Sequence, residues 1–553
     1  MTSFLLHLPA LAAGAVRVPD VGGLVAATLP EILLTAGLLG ILLLDAFGAA
    51  KPHQIPKISL GVVLVTLAVV FVGLLSPLAN PVEPPDTVME KIGSAIGRLA
   101  VAMGQVEGTA GPLTVDAMAR LFRILFLSAG AYTLLFGMRR AEAWFEQAEF
   151  HVLLLASLAG MSLLAASTDM LTAYLAFETV SYTGYLMVGY RKADRGSSEA
   201  GMKYVIFGAA SSGAMLFGIT LLFGLAGSTS MQAVAEVLRV QGPSPASVAA
   251  AVLVFAGVAF KISAVPFHFW APDAYSGASA PVAGFLAVAS KAAGFAVAIR
   301  ILGTWCGSAD APGEGVSFAF LTPGPLPFWI CAAGAVATMV VGNAAALRQR
   351  ELKRLLAWSS VAHAGYLLMA LSVGTGKGLL PESDVGSPFG GILFYFFVYM
   401  LMTLGGFGIV GMLRGPLGGT EIRRYNGLAR RNPGLAVCLA VLMISLTGLP
   451  PTLGFWGKVL LFMPVIQAKF YGLAIVGLLM SAVSLFYYAS LLQAMFLVPP
   501  AEGADGPVEM APADWLLVGG STVPLLLLGV FGWGSSASGL LGAAKDWVAA
   551  AVR

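Results

Sequence analysis

Long apolar runs separated by short polar connectors recur along this chain. Each run of about 20 residues is long enough to cross a hydrocarbon core of about 30 Å at 1.5 Å per helical residue. About 14 spans are predicted, with cores at 24–46, 58–78, 116–137, 149–167, 170–190, 201–226, 249–270, 278–301, 325–347, 355–374, 389–412, 435–463, 470–496 and 514–535. The alternating ten-residue pattern of a membrane barrel is absent. Only Ser167, Thr168 and Asp169 separate the fourth and fifth spans. Pro266 and Pro450–Pro451 fall inside two apolar segments. Proline removes a backbone donor, and helices break at membrane depth where backbone packs in protein or lines a cavity. Each break stands near a lysine (Lys261, Lys458) and is followed by Phe-Trp (Phe269–Trp270, Phe455–Trp456), which points to a duplicated unit; ordinary kinks are the plainer reading. Residues 79–115, with an amphipathic stretch around Val88–Met103, read as an external insertion, and 231–241 as a shorter external piece.

Composition makes the membrane assignment firm. Hydrophobic residues are 58% of the chain and charged ones 11%, with mean hydropathy +0.86; soluble domains carry about 25% charged residues. A net charge of +3 gives no reason to expect a nucleic-acid partner. Cys306, Cys331 and Cys438 are scattered without a C-x-x-C, so neither a zinc site nor an iron–sulfur cluster is expected. The apolar start, Met1 to Val16, lacks a basic opening and is not read as a cleaved signal peptide. Lysine and arginine set the orientation. One set of connectors holds Lys51, Lys57, Arg139, Arg140 and Arg191 to Lys203, then Arg348 to Arg354 and Arg414 to Arg431; the other set is sparser. The rich set is expected to be cytoplasmic, with both termini on the opposite side. Arg120, Arg123 and Arg300 stand near span ends, where such side chains snorkel.

A charge at mid-bilayer costs at least about 2.5–3.5 kcal/mol. Glu178, Lys261, Lys291 and Lys458 all fall in such positions. One static ion pair would explain two of them. All four together point to a chain of protonatable groups along an internal wet path, in which burial weakens each lysine's hold on a proton and a nearby carboxylate strengthens it. Lys203 is four residues after Glu199, the spacing of an ordinary helical ion pair. His268 and His363 are intramembrane histidines, suited either to relaying protons near neutral pH or to packing. The stretch Gly406-Phe-Gly408-Ile-Val-Gly411 fits G-x-G-x-x-G but lies inside a span, where small residues serve close helix packing rather than nucleotide binding.

Two stretches resemble the antiporter-like membrane subunits of respiratory complex I, the proton-pumping NADH-quinone oxidoreductase. One is Phe260-Lys-Ile-Ser-Ala-Val-Pro-Phe-His-Phe-Trp-Ala-Pro-Asp, running on to Ser290–Lys291; the other is Arg348-Gln-Arg-Glu-Leu-Lys-Arg-Leu-Leu-Ala-Trp-Ser-Ser-Val-Ala-His. Within that family the chain looks most like the subunit N branch. Lys458 stands in Leu-Pro-Pro-Thr-Leu-Gly-Phe-Trp-Gly-Lys where subunit M has glutamate, the first span opens with Leu-Pro-Glu31, and no lateral helix follows the last span as in subunit L. The resemblance implies an all-α polytopic membrane protein in one integral domain, 1–553, with two inverted five-helix repeats: spans 4–8 (149–301) and spans 9–13 (325–497). It implies Glu178 and Lys261 as an interacting pair, Lys291 as central relay, Lys458 leading to the far side, and Lys203 as a member of the same charged axis. It implies a translocase subunit in a bacterial inner membrane, with no redox centre of its own. NADH, FMN, iron–sulfur clusters and quinone are then expected in partner subunits, among them another antiporter-like subunit and the small membrane subunits. A multisubunit sodium/proton antiporter, which shares the fold and the buried lysines, is the alternative. The 79–115 insertion and the longer N-terminus depart from the family pattern.

Overall fold

The computed structural model describes residues 28–75, 109–110, 112–139, 143–242, 244–307, 326–374, 388–500 and 506–531. Its helices are α1 (Leu29–Ala46), α2 (Ile55–Leu75), α3 (Ala117–Met138), α4 (Ala148–Ala166), α5 (Met170–Val188), α6 (Arg195–Ala226), α7 (Met231–Gln241), α8 (Pro245–Ile262), α9 (Trp270–Gly277), α10 (Ala280–Phe285), α11 (Lys291–Gly307), α12 (Leu326–Ala346), α13 (Leu352–Val373), α14 (Pro388–Arg414), α15 (Leu428–Arg431), α16 (Pro433–Thr447), α17 (Leu453–Gln467), α18 (Tyr471–Phe496) and α19 (Pro512–Phe531). Twelve apolar segments of the described residues are helical and long enough to cross a membrane. The other two predicted crossings are α5, made less apolar by its polar side chains, and the broken α16–α17 segment.

Local chemistry fixes the ends. The three-residue link between α4 and α5 is a true boundary: Ser167 and Asp169 are extended, and the Asp169 carboxylate caps α5 by accepting from Thr172 N–H at 2.9 Å. Asp116, Asp194 and Asn432 cap α3, α6 and α16 in the same way. Helix α8 ends at Ser263 and α16 at Gly448, both in the left-handed region (φ 60° and 83°), and each is followed by a cis X-Pro bond, Val265–Pro266 and Pro450–Pro451. The freed backbone groups find partners, as burial requires. Trp270 Nε1 donates to Phe260 O at 2.9 Å, Val265 N–H donates to Thr338 Oγ1 at 3.0 Å, and Gly454 N–H donates to Ser445 Oγ at 3.2 Å.

The stretch from α4 to α11 and the stretch from α12 to α18 share an order of features. Each opens with two closely packed helices, α4 against α5 and α12 against α13, and each breaks its fourth segment at proline. The centre is α10–α11, α13 and α14, with the window Ala280–Trp305 wholly buried, while α1, α18 and α19 lie at the periphery. The eighth predicted span is not one regular helix: Leu286–Ser290 winds as a π-helix immediately before Lys291, a distortion frequent at functional positions.

Of the expected insertion, the amphipathic stretch Val88–Met103 lies outside the described residues. Its end forms a two-residue hairpin, Thr109–Ala110 against Leu113–Thr114, which bridges to Ser167. The piece at 231–241 is the surface helix α7, with Met231, Val234, Ala235 and Leu238 turned inward. The glycine stretch Gly406 to Gly411 lies within α14; a side chain on Gly408 would strike the Phe136 ring, and one on Gly411 would meet Ala280 Cβ at 2.9 Å.

Candidate proton-transfer axis

Lys261 stands in the last turn of α8, fully buried. Its Nζ donates to Ser181 Oγ on α5 at 3.0 Å and lies 5.0 Å from the Phe177 ring centroid. Glu178 is one turn back along α5, half-buried, in electrostatic range of Lys261, with a buried Oε1 that accepts no hydrogen bond. Among the described residues no ion pair within 4.0 Å joins the two. Ser181 Oγ accepts the Lys261 hydrogen bond, while Glu178 acts on Lys261 through its charge.

Lys291 opens α11 just after the π-helix, 1% exposed. Its Nζ donates to Ser360 Oγ at 2.5 Å and Ser360 O at 2.8 Å, and lies 5.8 Å from the Tyr275 ring centroid. His363, one turn along α13 from Ser360, is buried in electrostatic range of both Lys291 and Lys458, and its Nδ1 shares a 2.6 Å hydrogen bond with Tyr395 OH. His268 is buried beside Phe269 and Trp358 in range of Lys291, with Nδ1 free of a hydrogen-bond partner. Lys458 sits in the first turns of α17. Its Nζ donates to Thr447 O at 2.6 Å and to Ser481 Oγ at 2.7 Å, above the Tyr366 ring at 4.9 Å. Each ammonium is thus buried on neutral oxygens and aromatic faces, not on a carboxylate. Such an environment solvates an ammonium less well than water or a carboxylate partner does.

Lys203 is the exception, and belongs to a wider network than its spacing implied. Its Nζ pairs with Glu199 at 2.8 Å and with Asp273 on α9 at 3.0 Å; Asp273 also pairs with Arg354 on α13 at 2.7 Å. Asp273 and Arg354 escaped the sequence reading, although a carboxylate in Trp-Ala-Pro-Asp within an apolar region was a signal. The span over 355–374 begins earlier than predicted: α13 starts at Leu352, so Lys353 and Arg354 are helical, and Lys353 is buried, donating to Ser276 O and Ala278 O at 2.6 Å. The snorkelling expected of three arginines is also corrected. Arg123 is buried and pairs with Glu31 at 2.7 Å, Arg120 is buried, and Arg300 binds Asp116 through both terminal nitrogens and Ala165 O through Nε. Arg123 and Arg300 pair with carboxylates inside the bundle and do not reach for the interface.

Broken helices around buried, unpaired lysines define a polytopic membrane protein of the antiporter-like, ion-translocating class. The chain belongs to the transmembrane family described as NADH:quinone oxidoreductase/Mrp antiporter, which matches residues 167–312 and 316–484. It is 37% identical over 521 residues to NADH-quinone oxidoreductase subunit N of Anaeromyxobacter sp. (strain Fw109-5), covering 91% of this chain and 93% of that one. Among solved structures it is similar to a chain of respiratory complex I from Thermus thermophilus, with 28% identity, TM-score 0.68, and coverage of 91% and 97%. A chain of the Mrp complex from Dietzia sp. DQ12-45-1b shares the fold at 19% identity, TM-score 0.73, with coverage of 95% and 97%.

Proposed function

We propose that this chain is a proton-translocating membrane subunit of an NADH-quinone oxidoreductase, assembled with the other subunits of that complex. Partner subunits oxidise NADH and reduce quinone, and hold the redox groups. Moving one proton against 100 mV takes about 2.3 kcal/mol, and here it is supplied as shifts in the pairing of buried charges. Glu178 and Lys261 exchange across Ser181, Lys291 relays, His363 passes the proton on, and Lys458 delivers it to the far side; His268 and Lys203 flank this axis. Residues 149–301 and 325–497 are the two inverted units. The basic connectors face the cytoplasm of a bacterial cell, and both termini lie outside. The observation that carries the reading is the row of lysines, Lys261, Lys291 and Lys458, buried without carboxylate partners within 4.0 Å, with His363 in electrostatic range of Lys291 and Lys458; the subunit N relatives supply the complex.

The deciding experiment is NADH-driven proton uptake by inverted membrane vesicles, wild type against Lys291→Met, with assembly checked on the same membranes. Lost uptake in an assembled complex supports the route; normal uptake removes Lys291 from it. The shared fold of the Mrp complex keeps a sodium/proton antiporter as a second reading, and sodium-dependent proton exchange without NADH would select it.

A further inference from the structure

Helix α18 lies at the edge of the bundle, yet one of its faces is polar. Ser481, Ser484, Tyr487 and Tyr488 follow one another at helical spacing and are buried, while Leu478, Leu479 and Phe486 turn outward. A buried hydroxyl needs a partner, and here the partners form a sequence. At one end Ser481 Oγ accepts from Lys458 Nζ at 2.7 Å. Ser484 Oγ donates to Ser481 O at 2.6 Å. Tyr487 OH is within hydrogen-bonding range of Ser484, Tyr488 and Ser359. At the other end Tyr488 OH and Ser359 Oγ share a hydrogen bond. Ser359 immediately precedes Ser360, which holds Lys291. Tyr399, in hydrogen-bonding range of Ser360 and electrostatic range of Tyr488, bridges the same step.

The stripe therefore joins the surroundings of Lys291 to those of Lys458 along a line that does not include His363. His363 bonds Tyr395, and among the described residues no hydrogen bond joins it to either lysine. Asn343 on α12 fixes the middle of the stripe. Its Oδ1 accepts from Tyr487 OH at 3.1 Å, and its Nδ2 donates to Met339 O at 2.8 Å and to Tyr366 OH at 3.3 Å, the tyrosine whose ring lies 4.9 Å from Lys458 Nζ. A hydroxyl both donates and accepts. Each oxygen can take a proton from one neighbour as it gives its own to the next, then turn about its C–O bond for another transfer. A phenylalanine ring or an alanine methyl can do neither.

We propose that Ser359, Tyr488, Tyr487, Ser484 and Ser481 form a second proton path between Lys291 and Lys458, parallel to the one through His363, with Asn343 as the positioning residue that aims Tyr487. The inference rests on the roles given to Lys291 and Lys458 above. A proton leaves the Lys291 ammonium at Ser360 and Ser359, and a neutral Lys458 amine takes one up at Ser481. Lys291 is left as the amine, Lys458 becomes the ammonium, and every hydroxyl between them ends with one proton, as it began.

The test is a double-mutant cycle on NADH-driven proton uptake by inverted vesicles holding the assembled complex, with Tyr488→Phe, His363→Met, the two combined, and Lys291→Met on parallel membranes. Tyr488→Phe keeps the ring and removes only the hydroxyl. Two parallel paths predict that each single variant keeps about half of the wild-type uptake and that the double variant falls to the level of Lys291→Met, well below the product of the singles. Ser359→Ala combined with His363→Met removes the same contact from its other side and is read in the same way, so the result is taken from whichever double variant assembles. A stripe that only holds helices together lowers uptake by the same factor with or without His363, and a double variant at the product of the singles overturns the proposal. A double variant that pumps as well as His363→Met overturns it too, and so does Tyr488→Phe alone at the level of Lys291→Met, which would put both residues on one path in series. Normal uptake by Lys291→Met would sink the relay and this branch with it; lost uptake there beside a multiplicative double variant would sink the branch alone.

Discussion

The Lys291 ammonium holds Ser360 by two atoms at once, its hydroxyl at 2.5 Å and its backbone carbonyl at 2.8 Å. The contact ties the first turn of α11 to the middle of α13, and His363 follows one turn later on the same helix. On the proposed route, a proton leaving Lys291 toward His363 passes this serine.

Ser360→Ala removes one acceptor and leaves the other. A hydrogen bond to a charged group is worth about 1.5–3 kcal/mol, so NADH-driven uptake should fall by about tenfold or more, yet remain above that of Lys291→Met, in which the ammonium is gone. Equal loss in the two variants would mean that the hydroxyl itself is an obligatory proton carrier. Uptake at the wild-type rate would place the route elsewhere.

The pair Glu31–Arg123 joins α1 to α3, with side chains 7% and 2% exposed. Breaking a buried pair strands a charge and costs about 3–5 kcal/mol, whereas replacing both partners by apolar groups is far milder. Arg123→Met should lower the thermal midpoint of the solubilised complex sharply, and Glu31→Leu with Arg123→Met should recover much of it. A double variant as unstable as the single one would show that Arg123 is needed for its other contacts.

Much of this architecture was legible in the chain because its signals are local. Run length marks the spans, Pro266 and Pro450 mark the breaks, and the price of an isolated charge in hydrocarbon marks Glu178, Lys261, Lys291 and Lys458. What was missed depends on which surfaces meet. No residue type specifies the π-helix at 286–290. Lys353 looked like one more connector lysine until packing brought the carbonyls of 276 and 278 to it. The snorkelling expected of Arg123 and Arg300 failed because Glu31 and Asp116, distant in sequence, face them in the bundle. The neutral acceptors of the lysines, Ser181, Ser360 and Ser481, are likewise set by helix crossings.

Asp116 lies just before α3, outside the spanning segment. Burial pulls its carboxyl upward, but the Arg300 guanidinium, bonded to both oxygens, outweighs this and holds it below the ordinary carboxylate value. A carboxyl depressed in the folded state contributes stability above its unfolded value of about 4, and loses it as pH falls through the folded value. The stability difference between wild type and Asp116→Asn should therefore be constant between about pH 5 and pH 8 and shrink below about pH 4. Thermal midpoints across that range check it; a difference that persists undiminished in acid would assign the loss to the N-cap amide bonds instead of the charge.

The spacing of α12 and α13 sets where Ser360 and His363 stand, and two glycines set that spacing. A Cβ on Gly342 would meet Ala362 N at 2.6 Å and its Cα at 2.9 Å; one on Gly365 would meet Met339 N at 2.7 Å and Ala335 O at 3.1 Å. These neighbours are backbone, which cannot swing aside as a side chain does. At Gly334 the nearest atom is the Leu368 Cδ2 methyl at 3.3 Å, which can move. Gly342→Val should then force the helices apart and abolish assembly or proton uptake, Gly342→Ala should impair both, and Gly334→Ala should leave both near wild type. Native gels of solubilised membranes and vesicle uptake read the two effects. A Gly342→Val complex that assembles and pumps normally would show that α13 tolerates displacement, and that the lysine relay does not depend on the register in which this structure holds it.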